Sequence, residues 1–354
     1  MFLAIIAIIL TLILVVGIHE GGHALVARIF SVKIKKISIG FGKPLLRWQS
    51  RGGCEWVWAF FPLGGYVQLE NTRISPVEPA HYSGCFDKKP IWQRILILLA
   101  GAAANLIVAW FLFILVYSIG LTYTLPEIKE VLPNSAAAQA GMQPGDKFIS
   151  IDGAATPTWN DVGMRLVILW GKKDIPVTLT RADGKESIIM LDLSHEHFHK
   201  VKKSLLTQLG IQPNLAAAKN KLRAVSLLDA IHQTNAFISN MIYFFMMILK
   251  QLFMGVIPFS VLLGPIGIFA ASVVSLTQGI AVFLFFIGSL SLAVAVINLF
   301  PIPGLDGGSI LYAVIEKIRG KPVSVPMEVL LHRLIVIVFC VLLVHLLMND
   351  LQRI

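Results

Sequence analysis

The residues with the plainest chemical potential are His19-Glu20-Gly21-Gly22-His23. Residues four apart on a helix share a face, so both imidazoles reach one metal ion. Zinc takes histidine nitrogen at about 2.0–2.1 Å. Glu20 stands beside the first ligand. A carboxylate there takes a proton from metal-polarised water and passes it to a leaving amine. A hydrolytic zinc needs a third protein ligand and keeps its fourth position for water. Asp306 is the outstanding candidate, the one charged residue between Lys250 and Glu316. It belongs to Asn298-Leu-Phe-Pro-Ile-Pro-Gly-Leu-Asp306-Gly-Gly308. The prolines and glycines there disfavour helix and leave backbone groups free to bond a substrate. Each feature also has a plainer reading. HEGGH would be the polar end of a helix emerging into water, and Asp306 would cap a helix beginning near Gly308.

The elements that must position these residues are membrane-spanning. Of 354 residues, 56% are hydrophobic and 14% charged, against about 25% charged in soluble domains. A disordered chain, a coiled coil and an ordinary soluble enzyme are excluded. Met1 to Ile18 carry no charge, which is about 27 Å of helix. Glu20 then lies in or at the edge of the hydrocarbon, where an ionisable group is costly and marks a functional site. Ile95 to Ile119 are also uncharged, as are the 55 residues from Gln251 to Leu305. A span takes about 20 apolar residues. The expected spans are Phe2–Ile29, Ile91–Ile119, Ile280–Phe300 and a short Leu334–Met348. Phe237–Leu249 and Leu252–Ser275, broken by Pro258 and Gly264-Pro265, are either interfacial helices or a further pair of spans. The fold class is a polytopic α-helical membrane protein of about four transmembrane helices, with a membrane re-entrant β-hairpin or sheet and one inserted α+β domain.

Charge orients this arrangement. Ser31 to Arg94 hold ten Lys/Arg and four acids; Gly120 to Asn235 hold thirteen and eleven. The first loop is the cytoplasmic one and the balanced insert faces outward. That puts Asp306 at the depth of His19 and His23. The basic excess reads as topology and membrane-lipid contact, not nucleic-acid binding. The apolar start runs into His19 rather than a cleavage site, so it reads as a retained span. Cys54, Cys85 and Cys340 show neither disulfide nor zinc spacing.

Ser31 to Asn71 read as β-rich, with Cys54–Phe61 and Tyr66–Leu69 as strands about a turn at Pro62-Leu-Gly-Gly65. Such an apolar hairpin could take an unwound substrate segment as an added strand. Leu121 to Pro213 read as short strands, turns at Asp152-Gly153 and Asp183-Gly184, and a helix near Asn160–Leu169. His195, His197 and His199 alternate as on a solvated strand edge. His232 and His345 have no evident partner. The amides Asn105 and Asn298 either bond neighbouring helices or hold a substrate backbone.

HEGGH together with NLFPIPGLDGG resembles the site-2 protease family of intramembrane zinc metalloproteases. Phe61-Pro-Leu-Gly-Gly-Tyr-Val67, Gly264-Pro-Ile-Gly267 and Glu316-Lys-Ile-Arg-Gly-Lys-Pro322 narrow this to its bacterial, sigma-E-regulating branch. The resemblance implies His19, His23 and Asp306 as Zn2+ ligands, Glu20 as catalytic acid/base, and a re-entrant β-hairpin over residues 54–70. The substrate-facing set expected is Phe61, Gly64, Gly65 and Tyr66 with Asn298, Pro301 and Pro303. Pro133–Asp146, Ile149–Gly153 and Leu209-Gly-Ile211 resemble a bacterial PDZ domain, here single where the best-known members carry two. The implied organisation is an N-terminal membrane part (1–119), a periplasmic PDZ domain (123–213), amphipathic helices (214–278) and a C-terminal membrane part (279–354). The implied location is the bacterial inner membrane, with the active site near the cytoplasmic side. Implied substrates are single-span proteins already cut outside, namely anti-sigma factors and remnant signal peptides. The competing reading is a PDZ-bearing scaffold or chaperone with a structural metal. A transporter would show inverted repeats, and none is evident.

Overall fold

The computed structural model describes residues 2–50, 52–195 and 205–353. Its contacts divide into two units: Met1–Val116 with Pro265–Val344, and Tyr117–Gly264 with His345–Ile354.

An uncharged apolar run must satisfy its backbone internally, and helix does so. The first span is α1 (Phe2–Leu12), a five-residue π-helical segment (Ile13–Gly17) and α2 (Ile18–Ile29), which carries HEGGH. β1 (Ile34–Gln49) and β2 (Glu55–Leu69) follow, paired antiparallel. The strands exist as expected, but their pairing differs. Residues 54–70 are not a hairpin closed on itself. The half of β2 at Gly65–Leu69 pairs with Ile34–Ile39, and Glu55–Ala59 pairs with Pro44–Gln49, while Glu55–Trp58 also flanks Lys36–Ile39. The first half of β1 therefore lies between the arms of β2, and Glu55–Ala59 lies in turn between the two halves of β1. Pro62 lacks an amide donor, and Gly64 adopts a positive φ of 127°. The chain bends there without the two arms meeting.

α3 (Ile91–Ile119) matches the second expected span. The second unit then begins. β3 (Leu121–Thr124), β4 (Ile128–Val131), the short α4 (Ala136–Gln139), β5 (Lys147–Ile151) and β6 (Ala154–Ala155) lead to α5 (Trp159–Ile168). A reciprocal cap starts α5, in which Thr158 and Asp161 bond each other's backbone amides. β7 (Ile175–Thr180), β8 (Glu186–Leu191), α6 (Leu205–Gln208), β9 (Ile211–Pro213) and β10 (Lys219–Leu222) complete the insert. The sheet order is β6-β5-β7-β8, with β4 on β9 and β3 on β10 as separate pairs. Its core includes Phe148, Val162, Leu166, Leu179, Leu209 and Ile211, all buried. His195 lies exposed in a turn rather than on a strand; His197 and His199 fall outside the described residues.

α7 (Leu227–Phe253) is a single helix that takes in the whole of the apolar stretch Phe237–Leu249 and the amphipathic residues before it. Phe244 and Met247 pack on the insert's core, and the Gln251 amide donates to the Ile168 carbonyl at 3.0 Å. Back in the first unit, α8 (Pro265–Gln278) turns at Gly279 (φ 126°) into α9 (Ile280–Asn298). α10 (Asp306–Arg319) and α11 (Val325–Arg353) end the chain. α11 is longer than the short final span expected, because helix continues through Glu328, His332 and Arg333. Ala7, Val15, Phe283 and Ile287 form a buried cluster among the membrane helices. Small polar groups tie those helices together: Thr11 bonds Ser272 at 2.8 Å, and Ser291 donates to the Asn105 carbonyl at 3.1 Å. Six described helical stretches are long and apolar enough to cross a bilayer. The protein is a multi-pass membrane protein.

Candidate metal centre

α2 and α3 meet through glycine. A Cβ on Gly22 would lie 2.4 Å from the Ala100 carbonyl oxygen and 2.8 Å from the Ala104 Cβ. One on Gly101 would lie 2.2 Å from His23 Nε2 and 2.8 Å from His19 Cε1. The two helices can approach this closely only because neither carries a side chain there. Ile97, Gly101 and Asn105 stand four apart and so line one face of α3. That face holds the two imidazoles. His23 Nδ1 is 2.8 Å from the Ile97 carbonyl oxygen, and the Asn105 amide is 3.5 Å from His19 Nδ1. A carbonyl accepts only, so His23 carries its proton on Nδ1 and turns a lone pair on Nε2 outward.

α10 brings the third group. Asp306 is its first residue, and Leu305 at the cap position makes no side-chain bond. Asp306 therefore does not cap the helix, as the plainer reading had it. Its Oδ2 lies 3.2 Å from His19 Nε2 and 3.2 Å from His23 Nε2, and the two Nε2 atoms are 3.3 Å apart. Among the described residues, this is the group of His, Cys, Asp or Glu side chains placed to share a metal ion. The geometry suits zinc. A tetrahedral ion with bonds of about 2.0–2.1 Å sets neighbouring ligand atoms about 3.3 Å apart. Asp306 Oδ2 is also buried with no hydrogen-bond donor of its own, which a cation would answer.

Glu20 is 6% exposed, like the histidines at 7% and 8%. Its carboxylate lies close to the Val67 backbone of β2. A Cβ on Gly65 would stand 3.0 Å from Glu20 Cγ and 2.6 Å from the Ser38 carbonyl oxygen. Of the residues expected to face substrate, Gly65 is thus beside Glu20. Phe61 and Tyr66 are exposed on the same strand, with the Tyr66 ring stacked on Phe41. Gly64 gives β2 its bend. Asn298 turns inward on its own helix, donating to Val294 at 3.1 Å. Pro301 is exposed and Pro303 half-buried; Ile302 and Pro303 form the floor under Gly308, whose Cβ position lies 2.1 Å from the Ile302 oxygen. Gly22, Gly101 and the Ile97 carbonyl had no place in the sequence reading. The run Ala100-Gly101-Ala-Ala-Ala104 of small residues in a span was the available signal for the first two.

The chain is matched over residues 7–343 by the model of peptidase family M50. It is 30% identical to the regulator of sigma-E protease RseP of Salmonella typhimurium (strain 14028s), over an alignment covering 98% of both chains. It is 29% identical to the protein of that name from Escherichia coli (strain K12), over 96% of both. A Rhizobium meliloti protein whose name designates a zinc metalloprotease is 31% identical, over 88% of this chain and 87% of its own. With two buried histidines meeting a half-buried aspartate among membrane helices, and the family model matching residues 7–343, this chain is a member of peptidase family M50, a zinc metalloprotease of the site-2 type.

Proposed function

We propose that the protein is an intramembrane endopeptidase in which His19, His23 and Asp306 hold Zn2+ and Glu20 is the catalytic acid/base. One observation carries this: Glu20 is buried beside a triangle of ligand atoms with sides of 3.2, 3.2 and 3.3 Å. Bound zinc supplies a Lewis acid that polarises the scissile carbonyl and lowers the pKa of water. Glu20 receives the proton of the attacking water and returns it to the departing amine. A transmembrane helix shields its own peptide bonds, so the substrate must unwind first. The strand Gly65–Leu69, running past Glu20, offers backbone groups to replace those of the unwound helix. Phe61, Gly64 and Tyr66 flank this path, and Asn298, Pro301 and Pro303 border the loop on the Asp306 side.

The substrates are single-span membrane proteins already cut outside, in the class of anti-sigma factors and remnant signal peptides. The names of the relatives support placing that cleavage in a sigma-E pathway. The protein sits in the bacterial inner membrane, its basic first loop and active site toward the cytoplasm. Residues 123–213 form one periplasmic PDZ domain, a reading supported by β9 pairing with β4 so that Leu209-Gly-Ile211 joins the last strand to the first part of the insert. Four helices span. α7 commits its C-terminal half to the insert; the 20-residue apolar stretch Phe259–Gln278 reaches spanning length only by joining a short 3-10 turn to α8, whose own 14 residues make about 21 Å of helix against the ~30 Å hydrocarbon.

Glu20→Gln tests the enzyme reading. Cleavage of a single-span substrate in reconstituted bilayers should fall at least ~100-fold, with zinc content and thermal midpoint retained. Cleavage at the wild-type rate would refute it.

A further inference from the structure

Glu316 opens a stretch, Glu316-Lys-Ile-Arg-Gly-Lys-Pro322, to which the chemistry above gives no part. It sits in the last turn of α10, ten residues after Asp306 and about 15 Å along the axis. An acid there faces the negative end of the helix dipole, so its place asks for a cationic partner. That partner is Arg94, at the start of α3. Arg94 Nη1 lies 3.0 Å from one Glu316 carboxylate oxygen and 2.9 Å from the other. The Arg94 side chain is buried, with its guanidinium 5.5 Å over the Phe86 ring. A second arginine continues the grip past the end of the helix. Arg73 Nη1 bonds Glu328 at 3.0 Å, and Nη2 donates to the Val323 carbonyl at 2.5 Å.

The other end of α10 is seated by contact. Cβ atoms on Gly307 and Gly308 would lie 2.3 Å from the Leu299 and Phe300 oxygens and 2.1 Å from the Ile302 oxygen. The helix is therefore a short rod fixed at both ends, with the aspartate at one of them. Metal–ligand distances fall within about 0.2 Å of their usual values. Ordinary thermal displacement of a protein segment is about 0.5–0.9 Å. Floor contact limits approach but not sliding or rotation, which a charge-assisted grip on the far end resists.

We propose that Arg94 and Glu316 are positioning residues of the metal centre, holding α10 so that Asp306 meets both imidazoles. This rests on the zinc-centre reading above. The test uses the full-length protein in detergent, loaded with zinc and titrated with a competing chelator, beside a thermal melt of each variant. Arg94→Glu and Glu316→Arg should each weaken zinc retention 10–100-fold in the folded protein. The exchanged pair, Arg94→Glu with Glu316→Arg, should recover most of it. Should a single reversal fail to fold, Glu316→Gln, which keeps the shape and removes the charge, is read by the same titration and should also lose affinity. A pair that only braces the fold would lower the melting point and leave zinc affinity untouched, and that result overturns the proposal. So does failure of the exchange to restore binding. Asp306→Asn separates the two readings. If it binds zinc as wild type does, the metal centre itself is misassigned. If it loses zinc while Arg94→Glu and Glu316→Gln do not, only the positioning role falls.

Discussion

In the proposed centre each zinc-bound histidine needs its second nitrogen held, and His19 and His23 are held differently. The Ile97 carbonyl fixes His23, while His19 faces the fully buried Asn105 amide. Asn105 Oδ1 is buried without a hydrogen-bond partner, and the amide's oxygen and nitrogen are interchangeable in shape. With the two exchanged, Oδ1 accepts from His19 Nδ1–H and leaves Nε2 for the metal. Asn105→Leu should accordingly lower zinc affinity 10–100-fold in a protein that still folds, as read by chelator competition; unchanged affinity would discard this role. The convergence of His19, His23 and Asp306 was legible in the sequence because four-residue spacing already encodes a shared face, and because Asp306 is isolated in an apolar stretch. Asn105 was half legible, since an intramembrane amide serves substrate or helix equally well. The Ile97 carbonyl was invisible: a backbone acceptor has no side-chain signature.

Between helices, the decisive groups are the ones that are missing. Gly22 and Gly101 let α2 and α3 close until ring and backbone touch. Gly22→Ala should force them apart, at a cost of ~1–3 kcal/mol for overpacking. A thermal melt should show the loss, and zinc should leave at lower chelator concentration. A variant that melts and binds as wild type would show that the approach is not what seats the imidazoles. The strands were legible from their aromatic and β-branched runs, yet their partners were not. Alternation marks a strand and its faces; which neighbour it bonds depends on bends such as that at Gly64. The bounds of α3, α5 and α9 were legible to within a residue or two for the converse reason, being set by local residues.

For the whole molecule, hydropathy leaves the number of crossings open, because burial against protein and burial in lipid favour the same side chains. α7 is the instance: its Phe244 and Met247 are apolar yet rest on the insert's core. In the four-span reading, its C-terminal end is outside the cell. Val256→Cys, in a chain whose Cys54, Cys85 and Cys340 are replaced by serine, should react with a membrane-impermeant maleimide added to intact cells. Cys54 restored alone in that background should react only after lysis. Protection of position 256 until lysis would favour a crossing α7 instead.

The wide turn at Ile13–Gly17, directly before the helix that carries HEGGH, has a consequence for the lipid around the protein. It lodges an extra residue in the first span, so that α1 can keep one side against its neighbours while α2 presents another to the reaction. Removing or adding a residue there would swing the ligands by about 100°. The length of that span is thus tied to its rotation. In a thicker or thinner bilayer, the helix has to answer by tilting or by deforming the lipid, since it has no freedom to answer by growing.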